Sequence, residues 1–271
     1  MNYIDMHVHT DHSHDCKVPL REMCDTAIAK GLSAINISDH CDIWKWQRCD
    51  LYSAAKNSII DVLDTRAAYH DRLTITAGVE IGDCFRNPKL SRQVAEIEGL
   101  DCVTGSVHSV FLDEERYPMA STDFSVLSDE RIVEIARRYF EEVREMLELL
   151  HPDILAHLTY AARYIKKRYH REFSFMPYLE QLDDIYRYII AHGIALEINT
   201  AYINDNRLPE EDVMLLRRYY SMGGRLITLG SDAHKTENLG NIFPAAHEIL
   251  RGIGFTHACR FEERMMSRYA L

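Results

Sequence analysis

Seven short apolar runs alternate along this 271-residue chain with longer stretches that have helical periodicity. The runs are rich in Ile, Val, Leu and Thr, which is typical of buried β-strands. They cover residues 3–9, 34–38, 74–81, 102–108, 153–158, 194–200 and 225–231. Because strands that alternate with helices pair in parallel, the pattern predicts an α/β fold. A closed or nearly closed barrel is favoured over an open doubly wound sheet, because no glycine-rich phosphate-binding sequence follows the first run.

The stretches between the runs carry the signals of amphipathic helices. The first one keeps its apolar side chains on one face and is followed by Gly31, a typical residue at a helix C-terminus. Ser128 is a candidate N-cap for a long helix whose apolar stripe continues to Leu150, and Pro152 would stop that helix. Further helices are predicted at about 50–70, 88–98, 177–192, 209–222 and 243–252.

The composition is that of a globular protein, with 46% hydrophobic and 27% charged residues. The length suits one barrel domain that spans residues 1–271. A net charge of −11, with no basic stripe, argues against nucleic acid as the main ligand. We find neither a long apolar stretch nor a signal-peptide pattern in the first residues, so we expect a cytoplasmic protein without a membrane partner. The seven scattered cysteines are expected to be reduced, and Cys16 lies among the candidate ligands described next.

Histidines and carboxylates recur at the carboxyl ends of the predicted strands. His7 and His9 are two residues apart on the first strand, so their side chains point to the same face. Asp232 and His234 repeat this spacing after the last strand. The strands between them contribute Asp39, His40, Glu80, His108, His157 and Glu197. Because barrel enzymes build their active sites at this end, we expect these side chains to share one pocket.

This set of nitrogen and oxygen ligands suits divalent zinc, iron or manganese. The candidates outnumber the four ligands that one zinc ion usually takes, so two or three ions that share bridging carboxylates are expected. Closely spaced cations activate water and clamp a phosphoryl group, which favours a metal-dependent phosphoesterase.

Each fragment alone also has a structural explanation. An HxH or DxH pair can belong to the core, Asp39 can cap a helix or orient an imidazole, and Glu197 can bond to the backbone. Their coincidence at the end of every predicted strand favours the metal site, because burying unpaired ionisable groups is costly. Six other histidines lie on predicted helices, turns or the tail, and we assign them to the surface or to local structure. They are His70, His151, His170, His192, His247 and His257.

Six motifs in order resemble the PHP family, which is named for polymerase and histidinol phosphatase domains. They are DMHVHTDHSHD at 5–15, SDH at 38–40, GVEIG at 78–82, GSVHSV at 105–110, ILAHL at 154–158 and GSDAH at 230–234. The resemblance implies a single-domain (β/α)7 barrel, a distorted relative of the TIM barrel, in agreement with the count of predicted strands. The length and the LEINT segment at 196–200 are most similar to the branch of stand-alone histidinol-phosphate phosphatases.

The resemblance also implies three metal positions. The first would use His7, His9, Glu80 and Asp232. Glu80 would bridge to the second, which His108 and His157 complete. The third would use Asp15, His40 and His234, with His14 as the alternative to Asp15.

The activity that the resemblance implies is hydrolysis of L-histidinol phosphate to L-histidinol and phosphate, a step of histidine biosynthesis. Glu80 and Asp232 would be catalytic, and either Asp232 or a metal-held water would protonate the leaving group. Arg163 would pair with the phosphate, unless it is a solvated member of the basic run 163–171. Glu197 and Asn199 would contact the amine and the imidazole of the substrate.

Three alternatives stay open. The same chemistry on another small phosphate ester, such as a nucleotide, would need only a different pocket. A metal-dependent amidohydrolase is less favoured, because no lysine lies at the end of a middle strand. A non-enzymatic metal-binding module would be expected to have lost a ligand. The sequence does not decide whether the protein forms a homo-oligomer, and it does not identify the metal.

Overall fold

The computed structural model describes residues 3–201, 203 and 206–271, with only the backbone described at 167 and 168. Its strands are β1 (Tyr3–Val8), β2 (Leu32–Ile37), β3 (His40–Asp42), β4 (Thr74–Gly82), β5 (Cys102–Ser106), β6 (Ser109–Leu112), β7 (Glu115–Pro118), β8 (Ile154–Leu155), β9 (Ala195–Asn199), β10 (Ile227–Gly230), β11 (His257–Glu262) and β12 (Met265–Ala270). Its α-helices are α1 (Leu20–Ala29), α2 (Leu51–Arg66), α3 (Pro88–Ala95), α4 (Asp129–Leu150), α5 (Tyr160–Arg163), α6 (Leu179–His192), α7 (Glu210–Ser221) and α8 (Phe243–Ile253).

The main sheet is a parallel barrel with the strand order β1-β2-β4-β5-β8-β9-β10, and β3 pairs in parallel with the end of β4. The barrel closes where the residues after β10 meet the end of β1. Val8 bridges to Ala233, and the His9 amide donates a hydrogen bond to the Ala233 carbonyl over 3.0 Å. The Asp232 amide donates to the His7 carbonyl over 2.8 Å. The predicted (β/α)7 barrel is therefore confirmed in the part of the chain that the structure describes.

Helix α4 shows how local sequence signals set the outer layer. The hydroxyl of Ser128 accepts a hydrogen bond from the Arg131 amide and caps the helix N-terminus, as predicted. The helix ends at Leu150, and His151 takes a left-handed conformation with φ 46° before Pro152. Between these ends one face buries a continuous apolar stripe against the barrel.

Several predicted boundaries are corrected by the structure. The strand predicted at 153–158 keeps only Ile154–Leu155, because the chain turns at His157, which has φ 21°. The helix predicted at about 50–70 ends at Arg66. The short strand β3 and the antiparallel hairpins β6–β7 and β11–β12 were not predicted. These elements lie in segments that were predicted as loops or as the C-terminal tail, because hydrophobic periodicity is weak there.

One of the six histidines assigned to the surface or to local structure is a core residue. His247 on α8 is 1% exposed, and its ring packs edge-on against Tyr3 with 4.9 Å between ring centroids. Burial lowers the pKa of His247 to about 4, so the ring is neutral and behaves as an aromatic core side chain.

Neither disulfides nor membrane-spanning helices occur among the residues that the structure describes. All seven cysteines have free thiols, and six of them are buried. None of the described helices combines the length and the apolar character that crossing a lipid bilayer requires.

Asp5 connects the first and last barrel strands. Its Oδ1 atom accepts hydrogen bonds from the amides of Ser231, over 2.8 Å, and His7, over 3.3 Å. Its Oδ2 atom accepts from the Gly240 amide over 3.0 Å. Because the Asp5 side chain is fully buried, these three hydrogen bonds replace the ones that it would make to water in the unfolded chain.

We predict that Asp5→Asn destabilises the fold by about 1–3 kcal/mol, because one carboxamide NH₂ must then face a backbone N–H. Urea unfolding of the metal-free protein measures this change. Asp71→Asn is the matched control, since the Asp71 side chain is 82% exposed, and it should leave the free energy of unfolding unchanged. An Asp5→Asn variant as stable as the wild type would show that these three hydrogen bonds do not hold the barrel closed.

Candidate metal centre

Glu80 lies at the centre of the carboxyl end of the barrel and is fully buried. Its Oε1 atom is 2.8 Å from His157 Nε2 and 3.1 Å from His108 Nε2. Its Oε2 atom is 2.7 Å from His40 Nδ1 and 3.6 Å from His7 Nε2. One carboxylate thus faces imidazoles that come from four separate parts of the chain.

The residues predicted for the first metal position meet on one side of Glu80. His9 Nε2 is 3.2 Å from Asp232 Oδ1, and His7 Nε2 is 3.9 Å from the same oxygen. The Oε2 atom of Glu80 lies 3.9 Å from His9 Nε2. The ligand atoms of His7, His9 and Asp232 all lie within 4.8 Å of one another, which is close enough to hold one ion.

The residues predicted for the second position meet on the other side of Glu80. His108 Nε2 and His157 Nε2 are 3.4 Å apart, and both face Oε1 of Glu80. His40 approaches the same region, since His40, Glu80 and His108 also place ligand atoms within 4.8 Å of one another. Glu80 therefore has the geometry of a bridge between two positions.

The third predicted group forms the outer edge of the cluster. Asp15 places Oδ1 3.3 Å from His234 Nε2 and Oδ2 3.5 Å from His40 Nε2. The two imidazole nitrogens are themselves 3.3 Å apart. The His14 side chain is 53% exposed, and its ring centroid lies 5.4 Å from that of His40. The geometry thus favours Asp15 over His14 as the third ligand.

Buried polar atoms without a hydrogen-bond partner test whether this cluster suits a cation. Among the described residues, four buried atoms around Glu80 have oppositely charged neighbours but no well-directed hydrogen bond: His7 Nε2, His9 Nε2, His40 Nδ1 and Glu80 Oε2. Leaving such groups unsatisfied is costly in a protein interior. A divalent ion satisfies imidazole nitrogens and carboxylate oxygens together, so the donor set fits zinc, iron or manganese.

The electrostatics of the protein chain alone point in the same direction. Burial by itself would raise the pKa of Glu80, but His108, His40 and His7 hold that pKa well below its usual range. Burial, together with the neighbouring His234 and His40, lowers the pKa of His9 to about 3. The site therefore holds ionised carboxylates in a desolvated space, where they require positive charge nearby.

Three of the imidazoles contact a further side chain through Nδ1, the ring nitrogen that faces away from the cluster. Glu197 Oε1 lies 2.6 Å from His7 Nδ1, and Asp42 Oδ1 lies 2.8 Å from His108 Nδ1. Ser13 Oγ lies 3.1 Å from His9 Nδ1. Each contact leaves the Nε2 atom of the ring directed at the cluster, as in the carboxylate–histidine–metal arrangement of many metalloproteins.

Glu197, which was predicted to contact the substrate, has its carboxylate engaged within the protein. Its carboxylate is 1% exposed, and both of its oxygens have partners within the protein. Oε1 pairs with His7, whereas Oε2 accepts hydrogen bonds from the His157 amide over 2.7 Å and from Asn199 Nδ2 over 3.1 Å. Glu197 therefore positions two candidate ligands instead.

Asp39 anchors the loop that follows β1. Its carboxylate accepts hydrogen bonds from the Thr10 amide and from the hydroxyls of Thr10, Ser13 and Ser58 over 2.7–2.8 Å. Asp39 thus orients the imidazole of His9 indirectly, through the hydroxyl of Ser13. The Cys16 thiol donates to the carbonyl of His234 over 3.2 Å and takes no part in the cluster of ligand atoms.

Arg163 lies between the cluster and an adjoining cavity. Its side chain is 9% exposed, so the alternative of a solvated arginine is wrong. Nη2 donates to Asn199 Oδ1 over 2.5 Å, and Nη1 is 3.5 Å from Asp232 Oδ2. Asn199 Nδ2 is 3.3 Å from the same Asp232 oxygen. Both residues therefore border the candidate ligands, and Asn199 also holds Arg163 in place.

The sequence analysis missed two residues of this site. Asp42 follows His40 at the i, i+2 spacing that had been used for His7 and His9, and this signal could have identified it. Asp83 accepts hydrogen bonds from the amides of His108, over 2.9 Å, and Ser109, over 3.2 Å, and so fixes the backbone of a candidate ligand. Asp83 has φ 56°, and no periodicity in the sequence indicates its role.

A family model that describes the PHP domain matches residues 5–201 of the chain. The chain belongs to the PHP family. Histidinol-phosphatase of Lactococcus lactis subsp. lactis is a relative that is 27% identical over 265 residues, covering 96% of this chain and 95% of that protein. A protein of Clostridium acetobutylicum named probable histidinol-phosphatase is 26% identical over 270 residues, covering 98% of this chain and 99% of that protein.

A solved structure has the same fold as this PHP protein. It is the histidinol phosphate phosphatase of Lactococcus lactis subsp. lactis, complexed with zinc, L-histidinol and phosphate. It matches this chain with a TM-score of 0.77 and 21% identity, covering 98% of this chain and 99% of that one. The likeness confirms the barrel over nearly the whole length of the chain.

We predict that zinc binding to the metal-free protein releases protons at about pH 7. Burial opposes protonation of His40, but Glu80 and the other carboxylates raise its pKa to about 10, and they raise the pKa values of His7 and His108 well above the usual range. These rings hold protons without metal and must lose them to bind it. Titration calorimetry in buffers of different ionisation enthalpy measures the release, and its absence would contradict this description of the cluster.

Proposed function

We propose that this PHP protein is a histidinol-phosphatase, which hydrolyses L-histidinol phosphate to L-histidinol and phosphate in histidine biosynthesis. The observation that carries the proposal is the convergence of six imidazoles and three carboxylates, from His7 to His234, on one pocket around Glu80. Relatives named histidinol-phosphatase or probable histidinol-phosphatase, similar over almost their whole length, support the choice of substrate. The free thiols of all seven cysteines fit the reducing conditions of the cytoplasm.

The proposed ligand sets are those implied by the family resemblance. His7, His9, Glu80 and Asp232 would hold the first divalent ion, and Glu80, His108 and His157 the second. Asp15, His40 and His234 would hold a third. When bound, the ions supply an activated water and neutralise the charge of the phosphate oxygens.

Arg163 and Asp232 have complementary roles in the proposed reaction. The Arg163 guanidinium, held by Asn199, is placed to donate to a non-bridging phosphate oxygen beside the cluster. The surrounding histidines hold the pKa of Asp232 well below its usual range although burial opposes this, so its carboxylate is ionised and suited to bind an ion. Either Asp232 or a metal-held water would protonate the leaving alkoxide.

The cavity beside Arg163 offers space for the organic part of the substrate. It is small, with a volume of about 90 Å³, and it opens to solvent. Phe175 contributes apolar surface, Asp212 contributes a carboxylate, and the carboxylate of Glu211 is paired with Lys166. This combination suits an imidazole ring that carries a nearby ammonium group.

The test is turnover by the zinc- or manganese-loaded protein on a panel of esters. Histidinol phosphate should exceed nucleotides, sugar phosphates and an aryl phosphate in kcat/KM by at least about 100-fold, because those esters leave the cavity's polar groups unpaired. A nucleotide as the best substrate would replace the proposal with a different phosphoesterase. Turnover of amides or amino-heterocycles without any phosphate ester would favour the amidohydrolase instead.

We predict that Arg163→Met lowers kcat/KM for histidinol phosphate by about 10²–10³-fold, because a charge-assisted donor to the phosphate is lost. The number of ions bound per chain should stay unchanged. Arg92→Met on α3 is the matched control and should retain full activity. Equal activity of the Arg163 variant and the wild type would remove Arg163 from the mechanism.

A further inference from the structure

Asp42 and His108 form a close pair at the edge of the candidate metal centre. The Oδ1 atom of Asp42 lies 2.8 Å from His108 Nδ1. The other ring nitrogen, Nε2, is 3.1 Å from Glu80 Oε1 and 3.4 Å from His157 Nε2. Because an ionised carboxylate only accepts hydrogen bonds, the pair keeps hydrogen on Nδ1. When an ion displaces the second ring proton, the free electron pair is therefore on Nε2, which faces Glu80.

The register of two strands places Asp42 where this contact is possible. Strand β3 pairs with β4 so that His40 lies opposite Glu80 and Asp42 lies opposite Gly82. A side chain at Gly82 would place its Cβ atom 2.6 Å from Asp42 Oδ1 and 2.8 Å from His108 Nδ1. The hydrogen bond thus runs through space that only glycine leaves open.

The second oxygen of Asp42 and the backbone of His108 are held separately. Asp42 Oδ2 lies 3.0 Å from Lys45 Nζ, so the nearly buried carboxylate, which is 7% exposed, has a cationic partner as well as the imidazole. The amide of His108 donates to Asp83 over 2.9 Å. Asp83 therefore sets where the backbone of His108 lies, and Asp42 sets how its ring is turned.

Asp42 differs from Glu197, a buried carboxylate that also contacts the imidazole of a candidate ligand. Glu197 serves His7, the His157 amide and Asn199 together, so a change there disturbs several groups. The side-chain hydrogen bonds of Asp42 go to His108 and Lys45. A change at Asp42 should therefore reach the metal centre through His108.

We propose that Asp42 is a positioning residue that acts through His108 to hold one specific metal ion, the one shared by Glu80, His108 and His157. Gly82 is part of the same device, because it leaves room for the hydrogen bond. This role of Asp42 determines metal affinity and is independent of which phosphate ester is the substrate.

The experiment is a zinc titration of the metal-free full chain against a chromophoric chelator. Asp42→Ala should weaken one of the bound ions by about 10–100-fold and leave the others at wild-type affinity. Asp42→Asn should have a smaller effect on that ion, because the amide oxygen can still accept from His108 Nδ1. Asp113→Ala is the control, since the Asp113 side chain is 75% exposed, and it should bind zinc like the wild type.

Gly82→Ala provides an independent variant, which should weaken the same single ion because its methyl group separates Asp42 from His108. If Asp42→Ala does not fold, Asp42→Asn and Gly82→Ala decide by the same criterion. Unchanged zinc affinity in the variants that fold would overturn the proposal. Equal weakening of every bound ion would also overturn it, because that result indicates a general structural role. Both outcomes are measured as zinc affinity, so they hold whether or not histidinol phosphate is the substrate of the protein.

Discussion

The desolvated carboxylate of Glu80 is the constraint on which the active end of this barrel depends. A negative charge buried to this degree needs several positive or hydrogen-donating partners at once, and no single neighbour in the chain could supply them. The protein supplies imidazoles from the end of β1, from β3 and from the segments after β5 and β8. The same rings become neutral ligands when divalent ions replace their protons. The negative charge of Glu80 is therefore balanced by protonated imidazoles in the metal-free protein and by the ions in the metal-loaded one.

Barrel closure makes this convergence possible. Asp5 bonds to the amides after β10, and the Asp232 amide bonds back to the carbonyl of His7, so the first and last strands are joined beside the site. Asp232 itself has φ 52°, and His157 has φ 21°. Left-handed backbone at non-glycine residues is unfavourable and persists only where the surrounding structure determines it. Two candidate ligands thus carry backbone strain that the closed barrel sustains.

Much of this arrangement could be predicted from the sequence. Period-two spacing put His7 and His9 on one face, and parallel strands brought ligands from distant segments to one end of the barrel. The layer behind the ligands could not be predicted in the same way, because it depends on the direction of side chains across neighbouring strands. Glu197 shows this limit: its position on β9 was predicted, but its orientation toward His7 was not. Arg163 similarly ends the short helix α5, and its burial could not be read from the basic run of residues 163–171 to which it belongs.

The most direct test of the central claim is anomalous scattering from crystals of the zinc-loaded protein. We expect one peak beside His7, His9 and Asp232, a second beside His108 and His157 with Glu80 between the two, and a third beside Asp15, His40 and His234. A single peak away from Glu80, or ions bound only at surface histidines, would contradict it. In that case the buried imidazoles would serve only to neutralise Glu80, and the proposed hydrolysis would lose its basis.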